Sequence, residues 1–153
     1  MSRRALITGI TGQDGSYLAD RLLAEGTEVV GVVRDAERPA ERVDRRVRLV
    51  AGDLLDGGSL HAAVHGVAPD DLYHLAAPTF VPASWDDPTE TVSAIAVATA
   101  TLLAAAVTTP RPPRIWVATS SEIFGDSGES PQHERSPMRP RTPYGVAKLA
   151  AHG

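Results

Sequence analysis

Short apolar runs alternate with longer amphipathic stretches along most of the chain. A short continuous apolar run bounded by turn residues predicts a buried strand, whereas apolar residues at helical spacing predict a helix. The predicted strands are Ala5–Thr8, Val29–Val33, Val47–Ala51, Asp71–Ala76 and Ile115–Thr119. The predicted helices are Ser16–Glu25, Ser59–His65, Pro88–Val107 and a last one that begins at Pro143.

This alternation predicts the class of fold. Strands that are apolar throughout and separated by helices belong to a parallel sheet covered on both faces. With right-handed crossovers, the result is an α/β domain with a doubly wound parallel sheet of Rossmann type. Only residues 125–141, polar and rich in proline, read as a long loop, and loops of that length are usually functional or disordered. Because such sheets normally continue into a second half, we expect residues 1–153 to form a dinucleotide-binding domain that is incomplete on its C-terminal side.

Composition excludes several classes of function. The chain has no cysteine, which excludes disulfides, thiolate metal sites and thiol nucleophiles. Its net charge of −4 gives no basic face for nucleic acid or an anionic membrane. We find no apolar run long enough to span a bilayer and no signal-peptide stretch, so we expect a cytoplasmic protein without a membrane partner. Lys148 is the only lysine among 15 basic residues, which suggests a site where an ammonium is specifically needed.

Three glycines follow the first strand and precede the first helix. The segment Gly9-Ile10-Thr11-Gly12-Gln13-Asp14-Gly15 has the spacing GxxGxxG, which differs from the GxGxxG of the dinucleotide fingerprint. Glycines at such a turn let backbone N–H groups approach a pyrophosphate, and the helix N-terminus adds a favourable dipole. A merely flexible turn is the alternative. The strand–turn–helix context favours cofactor binding, with contacts from Gly9, Thr11, Gly12, Gln13, Asp14 and Gly15.

Residues that follow the next strands are candidates for binding the adenosine half of the cofactor. An acid after the second strand usually selects NAD, whereas an arginine can receive the 2′-phosphate of NADP. Arg34 is followed here by Asp35, so the residues alone leave the choice open. Asp53 offers an acceptor for the adenine amino group, or else a cap for a turn. The remaining candidates for cofactor contact are Leu54, Leu75, Ala76, Ala77, Tyr144 and Lys148.

The candidate catalytic residues lie near the end of the chain. Tyr144 and Lys148 are four residues apart on the last predicted helix and therefore share a face. A nearby ammonium stabilises a phenolate, which makes the tyrosine able to accept a proton from a sugar hydroxyl. Ser120, Ser121 and Glu122 follow the fifth strand, where open parallel sheets bind ligands. The same serines and glutamate would also serve as a helix N-cap.

Other polar features are interpreted as structural. His61 and His65 have a spacing that can bind metal, but no HExxH pattern or third ligand accompanies them, so no metal site is expected. His74 lies in a predicted strand and is interpreted as a hydrogen-bonded core residue. The charged run 38–48 is interpreted as a solvated face.

The order of these motifs resembles the extended short-chain dehydrogenase/reductase family and, within it, the GDP-mannose 4,6-dehydratases. The resemblance spans essentially the whole chain. It rests on GITGQDGSYLAD (9–20), TSSEIFG (119–125), PQHE (131–134) and PRTPYGVAK (140–148). It implies that GDP-mannose or a related sugar nucleotide is the substrate and that the full-length form is a homo-oligomer. The C-terminal domain that binds the sugar nucleotide would be absent from residues 1–153.

The resemblance also implies an internal redox cycle. NADP would take a hydride from C4 of the sugar while Tyr144, supported by Lys148, takes the hydroxyl proton. Glu122 would then remove the proton from C5, water would leave from C6, and the hydride would return there. Ser120 replaces the threonine usual in the family and keeps the hydroxyl. The implied substrate contacts are Ser84 and Ser121.

Two departures from the family pattern shape the expectations. Arg34 matches the family arginine for the 2′-phosphate, but Asp35 replaces a second basic residue, so NADP is expected and NAD remains possible. Family members are roughly twice as long, as a two-half sheet and a further domain require. We therefore expect residues 1–153 alone to bind cofactor weakly through the glycine turn and to show no turnover. The alternatives are another nucleotide-sugar dehydratase or epimerase of the same family and a non-catalytic NAD(P)-binding fragment.

Overall fold

The part of the chain that the structure describes forms a sheet of five parallel strands. A computed structural model describes residues 3–37 and 41–153. Its strands are β1 (Arg4–Thr8), β2 (Glu28–Val33), β3 (Arg48–Ala51), β4 (Asp71–His74) and β5 (Arg114–Val117). They lie in the order β3-β2-β1-β4-β5, which confirms the doubly wound prediction. The order reverses between β1 and β4, and a crevice at the carboxyl ends of these strands is where such sheets bind ligands.

The helices agree with the predicted ones in place, with shifts at their ends. They are α1 (Gln13–Ala24), α2 (Gly57–Val67), α3 (Pro88–Val92), α4 (Ala98–Val107) and α5 (Pro143–His152). The helix α1 begins three residues before the predicted start because its N-cap is Gly12, inside the glycine turn. Asp56 caps α2 by accepting hydrogen bonds from the N–H groups of Gly58 and Ser59. Two 3₁₀ turns, Val81–Trp85 and Ser121–Ile123, were not predicted from the sequence.

Successive side chains of β1 point to opposite faces of the sheet, and the core accordingly has two layers. Leu6 faces α2 and α4 and packs with residues such as Leu72 and Leu102. Ile7 faces the opposite side and packs with Ala19 of α1. Successive strand residues point to opposite faces, so a parallel sheet with apolar residues at consecutive positions needs helices on both sides.

A π-helical turn, Ser93–Val97, joins α3 to α4 and makes one continuous helix over Pro88–Val107. The expectation that no apolar run could span a bilayer is wrong for this helix on length and composition alone, because it has 20 residues and few charges. Its buried positions, among them Ala98 and Leu102, pack against α2 and the sheet. Burial in the core accounts for the apolar residues on this face of the helix, whereas Val97 and Val107 are exposed.

Ion pairs close the amino edge of the sheet. The Asp71 carboxylate at the start of β4 is almost fully buried and accepts hydrogen bonds from Arg3 and Arg114, with Arg114 Nε 2.8 Å from Oδ1. On the neighbouring strand, Arg4 pairs with Glu28 and donates to the Val67 carbonyl. These contacts tie together the amino ends of four strands and the end of α2.

Candidate functional site

The glycine turn after β1 leaves no room for side chains at two of its positions. Gly9 has φ +73°, and a Cβ built there would lie 2.7 Å from the backbone nitrogen of Ala76. A Cβ at Gly15 would lie 2.2 Å from the Gly9 carbonyl oxygen. The Gly12 N–H donates to that same oxygen and closes the turn. No side chain among the described residues caps α1 at Gly12, so its first N–H groups can receive an anion such as a pyrophosphate.

A cleft of about 960 Å³ opens at the carboxyl edge of the sheet beside this turn. It is lined by Thr8 at the end of β1, by Val32 and Val33 at the end of β2, and by the residues that follow β4. Nine of the predicted cofactor-contact residues line it, namely Gly9, Thr11, Gly12, Arg34, Asp53, Leu54, Leu75, Ala76 and Ala77. Gln13, Asp14 and Gly15 form the first turn of α1 next to it and are not among its lining residues. Tyr144 and Lys148 of α5 do not line it either, so their contact with the cofactor remains a prediction. The position and lining of the cleft fit a dinucleotide laid across the switch point of the sheet.

Charged residues gather at the β2 end of the cleft. Arg34 and Asp35 line it, as do Glu41 and Arg42 from the chain that returns toward β3. Glu41 and Arg42 are exposed, as the interpretation of residues 38–48 as a solvated face expects, and they also line the cleft. Residues 38–40 lie outside the described residues. The sequence could not reveal this, because only the path of the returning chain brings Arg42 to the cleft.

Asp53 has a structural role in the turn after β3. Its Oδ1 accepts a hydrogen bond from the Leu55 N–H at 2.9 Å, which is the turn-capping alternative. The residue also lines the cleft, so a contact with adenine remains a prediction.

The first turn of α5 places Tyr144 and Lys148. Thr142 caps the helix by accepting from the Gly145 N–H at 2.9 Å, and Pro143 occupies the first turn. Tyr144 and Lys148 are both buried, with 8% and 6% exposure. Lys148 Nζ donates to the Ala118 carbonyl at 2.7 Å and lies 5.8 Å from the centre of the Tyr144 ring. Burial lowers the pKa of the Lys148 ammonium.

The segment after β5 packs directly against α5. Ser120 Oγ accepts a hydrogen bond from the Glu122 N–H at 3.2 Å, so the N-cap alternative is realised on a 3₁₀ turn. A Cβ at Gly145 would lie 2.8 Å from the Glu122 carbonyl oxygen, which means that this contact requires glycine. The structure thus brings Ser120 and Glu122 beside the tyrosine helix, while Ser121 is exposed. Sequence reasoning missed Gly145, although it stands between the two candidate catalytic residues.

Ser84 lies on the 3₁₀ turn Val81–Trp85. It is 3% exposed, and its hydroxyl donates to the Val81 carbonyl at 2.7 Å. Val81 packs in a cluster with Tyr144 and Ile95, so the turn is a neighbour of the tyrosine helix. Ala77 belongs to the same cluster and also lines the cleft, which makes it the link between the cleft and Tyr144. A contact between Ser84 and substrate remains a prediction.

The histidines lie where a structural interpretation expects them. His74 is buried, and its Nδ1 lies 2.7 Å from Thr8 Oγ1. Burial, and next the charge of Lys148, lower the pKa of His74 to about 4. His61 and His65 are exposed on α2 with their rings stacked at 4.2 Å.

Comparison with known proteins gives a consistent result. The family model for GDP-mannose 4,6 dehydratase matches residues 6–153. A GDP-mannose 4,6-dehydratase from Vibrio cholerae is 39% identical over 99% of the chain, and one from Homo sapiens is 39% identical over 97%. The chain spans 44% of the length of each of these relatives.

Solved structures with the same fold include nucleotide-sugar enzymes. A UDP-glucose 4-epimerase from Thermus thermophilus in complex with NAD has a TM-score of 0.85 and 29% identity over 97% of this chain and 48% of its own. The NAD-dependent NDP-hexosamine 5,6-dehydratase TunA, involved in tunicamycin biosynthesis, has a TM-score of 0.81 and 27% identity over 98% of this chain and 48% of its own. These structures support an NAD(P)-binding domain of nucleotide-sugar enzymes.

Proposed function

The chain belongs to the GDP-mannose 4,6-dehydratase family, and we propose that it is the cofactor-binding part of an enzyme that converts GDP-mannose to GDP-4-keto-6-deoxymannose with tightly bound NADP. The observation that carries the proposal is the junction between the cleft and α5. Ala77 lines the cleft and packs in the cluster of Tyr144, while the Ser120–Glu122 segment packs against the same helix at Gly145. A sugar held at this junction would meet a proton acceptor and a carboxylate beside the cofactor cleft.

The lining of the cleft supports NADP as the cofactor. Arg34 and Arg42 reach the same end of the cleft, and two guanidinium groups suit a 2′-phosphate. Asp35 and Glu41 also line that end and would oppose the phosphate. When bound, the nicotinamide would accept a hydride from the sugar and later return it. The glycine turn and the open N-terminus of α1 would hold the pyrophosphate.

Tyr144 is proposed as the acceptor of the proton from the sugar C4 hydroxyl. The Lys148 ammonium lies 5.8 Å from the centre of its ring, and a positive charge there would favour the negative charge that develops as Tyr144 loses its own proton. The hydrogen bond from Lys148 to the Ala118 carbonyl holds the lysine in place. This pairing lets Tyr144 take the proton while C4 is oxidised.

Glu122 is proposed as the base for the elimination step. Once C4 is a ketone, the adjacent C5–H becomes acidic, and a carboxylate can remove that proton. The C6 hydroxyl would then leave as water with the proton that Glu122 removed from C5. As hydride returns at C6, the proton held by Tyr144 would go to C5. Ser120 and Ser121 supply hydroxyls at the same turn, and Ser84 supplies one on a neighbouring turn. Their proposed part is to orient the sugar.

The test of the proposed function is turnover of GDP-mannose. Because residues 1–153 alone are expected to bind cofactor without turnover, the assay uses these residues completed with the C-terminal half of the Vibrio cholerae relative. Mass spectrometry should show GDP-mannose losing one water in the parent hybrid. A Tyr144→Phe hybrid that binds NADP equally should leave the sugar unchanged.

The hybrid tests the chemistry of residues 1–153 and not the choice of sugar nucleotide, because the Vibrio cholerae half supplies the part expected to bind the sugar nucleotide. A parent hybrid that binds both NADP and GDP-mannose and leaves the sugar unchanged would refute the proposed dehydration.

A further inference from the structure

A buried threonine–histidine pair joins the carboxyl ends of β1 and β4. Thr8 and His74 are partners in the sheet register and are 1% and 4% exposed. Thr8 Oγ1 lies 2.7 Å from His74 Nδ1 and also accepts the Ala76 N–H at 3.2 Å. The Thr8 carbonyl accepts the Leu75 N–H at 3.3 Å. Thr8 therefore holds both of the residues that follow β4.

Those two residues form a tightly packed part of the cleft wall. Leu75 and Ala76 line the cleft, and Gly9 packs so closely against them that a Cβ there would lie 2.7 Å from the Ala76 nitrogen. A displacement of Ala76 would therefore move the glycine turn as well as the wall. The position of the cleft surface depends on the hydrogen bonds that Thr8 makes.

The hydrogen bonds of Thr8 favour one tautomer of His74. A threonine hydroxyl has one proton to donate, and Oγ1 already accepts the Ala76 N–H. Among the described residues, His74 Nδ1 is the acceptor within reach of that proton. Donation to Nδ1 satisfies both groups and places the imidazole proton on Nε2. The alternative, with Nδ1–H donating, would leave the buried hydroxyl proton without an acceptor, at a cost in free energy.

The backbone of His74 connects the same pair to Lys148. The Ala118 N–H donates to the His74 carbonyl at 3.0 Å, and the Ala118 carbonyl accepts from Lys148 Nζ at 2.7 Å. Hydrogen bonds thus link Ala76 to Thr8, Thr8 to the His74 side chain, the His74 backbone to Ala118, and Ala118 to Lys148. The two ends of this series are the cleft wall and the candidate catalytic lysine.

We propose that His74 is a positioning residue for the cofactor. Through its hydrogen bond to Thr8, it holds Leu75 and Ala76 of the cleft wall against Gly9. Through its backbone, it keeps this wall aligned with Ala118, whose carbonyl binds Lys148. His74 does not line the cleft itself, so its influence passes through its neighbours. The inference rests on the proposed cofactor site. It gives His74 a role in cofactor binding in addition to its place in the core.

The test compares two substitutions of His74 by calorimetric titration of NADP⁺ into the 153-residue chain. His74→Phe keeps a ring but removes the acceptor, and it should weaken NADP⁺ binding at least about tenfold. His74→Asn places an amide oxygen near the position of Nδ1 and should restore most of the affinity. Thr109→Val is the control, because it removes a different buried hydroxyl, whose bond is to the Ala106 carbonyl at 2.8 Å, away from the cleft. This variant should lose stability but bind NADP⁺ like the parent.

A second measurement keeps the proposal testable if His74→Phe does not fold. Nitrogen-15 NMR of the parent should show His74 with the proton on Nε2, and NADP⁺ should slow hydrogen exchange at the Ala76 amide. A proton on Nδ1, unchanged exchange at Ala76, or equal NADP⁺ affinity in His74→Phe and the parent would each overturn the inference. A parent that binds neither NADP⁺ nor NAD⁺ would instead refute the proposed cofactor site, whatever the tautomer of His74.

Discussion

At its amino edge the sheet is closed by ion pairs, whereas at its carboxyl edge it ends in glycines and small residues. Asp71 holds Arg3 and Arg114 at the first edge, and the charges there satisfy one another. At the second edge, Gly9 and Ala76 meet backbone to backbone, and the first N–H groups of α1 remain open to a ligand. The amino edge is thus built to stay closed and the carboxyl edge to receive an anion.

This contrast predicts that stability depends mainly on the amino edge of the sheet and that dinucleotide binding depends mainly on its carboxyl edge. Changes at the amino edge should lower the free energy of unfolding and leave dinucleotide affinity unaltered. Changes at the carboxyl edge should act on affinity first. Parallel strands make this separation possible, because all their carboxyl ends lie on one edge of the sheet.

The largest effect is expected from Gly15→Ala. The added methyl group would lie 2.2 Å from the Gly9 carbonyl oxygen, so the turn must open. Overpacking of this kind costs about 1–3 kcal/mol, and the displaced turn should reduce NADP⁺ affinity by about a hundredfold or more. Gly66→Ala is the matched control, because a Cβ at Gly66 meets nothing within 4 Å. Equal affinity in both variants would contradict the role of the turn.

Asp71→Asn should give the largest effect at the other edge. It weakens the charged hydrogen bonds to Arg3 and Arg114, and each such bond contributes about 1.5–3 kcal/mol. Chemical denaturation should show that the free energy of unfolding falls by an amount of that order, while the dissociation constant for NADP⁺ stays the same. Glu28→Gln, at an exposed pair with Arg4, should cost less than about 1 kcal/mol. If fully folded Asp71→Asn bound NADP⁺ with a larger dissociation constant than the parent, the two edges would be coupled.

The arginines at the β2 end of the cleft should discriminate between cofactors. Arg34→Ala and Arg42→Ala should each weaken NADP⁺ binding about tenfold, through loss of a charged hydrogen bond to phosphate, and should leave NAD⁺ binding nearly unchanged. Arg45→Ala, outside the cleft lining, serves as the control. Equal losses for both cofactors, or tighter binding of NAD⁺ by the parent, would show that Asp35 governs the choice.

The smallest expected effect is a pH dependence that arises at the carboxyl edge. Because the pKa of His74 falls from its ordinary value of 6.5 to about 4 in the folded chain, the unfolded chain binds the proton first as pH falls. The contribution of His74 to stability is therefore complete above about pH 6.5 and declines toward pH 4, by at most about 1.4 kcal/mol per pH unit. Denaturation of the parent and of His74→Asn between about pH 7 and pH 4 measures the difference. Parallel pH profiles would contradict the neutral, buried imidazole.

Local chemistry was sufficient to predict the fold and the positions of most candidate site residues. Apolar periodicity and the glycine turn depend on neighbours in sequence, so the strands, the helices and the nine cleft residues could be predicted. Arg42 could not, because its place depends on how the chain returns from β2 to β3. Gly145 and Thr8 were also missed. Their importance comes from contacts with Glu122 and His74, which are distant in sequence and adjacent only after folding.

Binding of the dinucleotide at the carboxyl edge is the central claim, and one titration series tests it directly. NADP⁺ is titrated into the parent chain, Gly15→Ala and Asp71→Asn at a temperature where circular dichroism shows all three folded. The account predicts that the parent and Asp71→Asn bind with the same dissociation constant and that Gly15→Ala binds at least about a hundredfold more weakly. Equal binding by all three proteins, or a loss confined to Asp71→Asn, would contradict it.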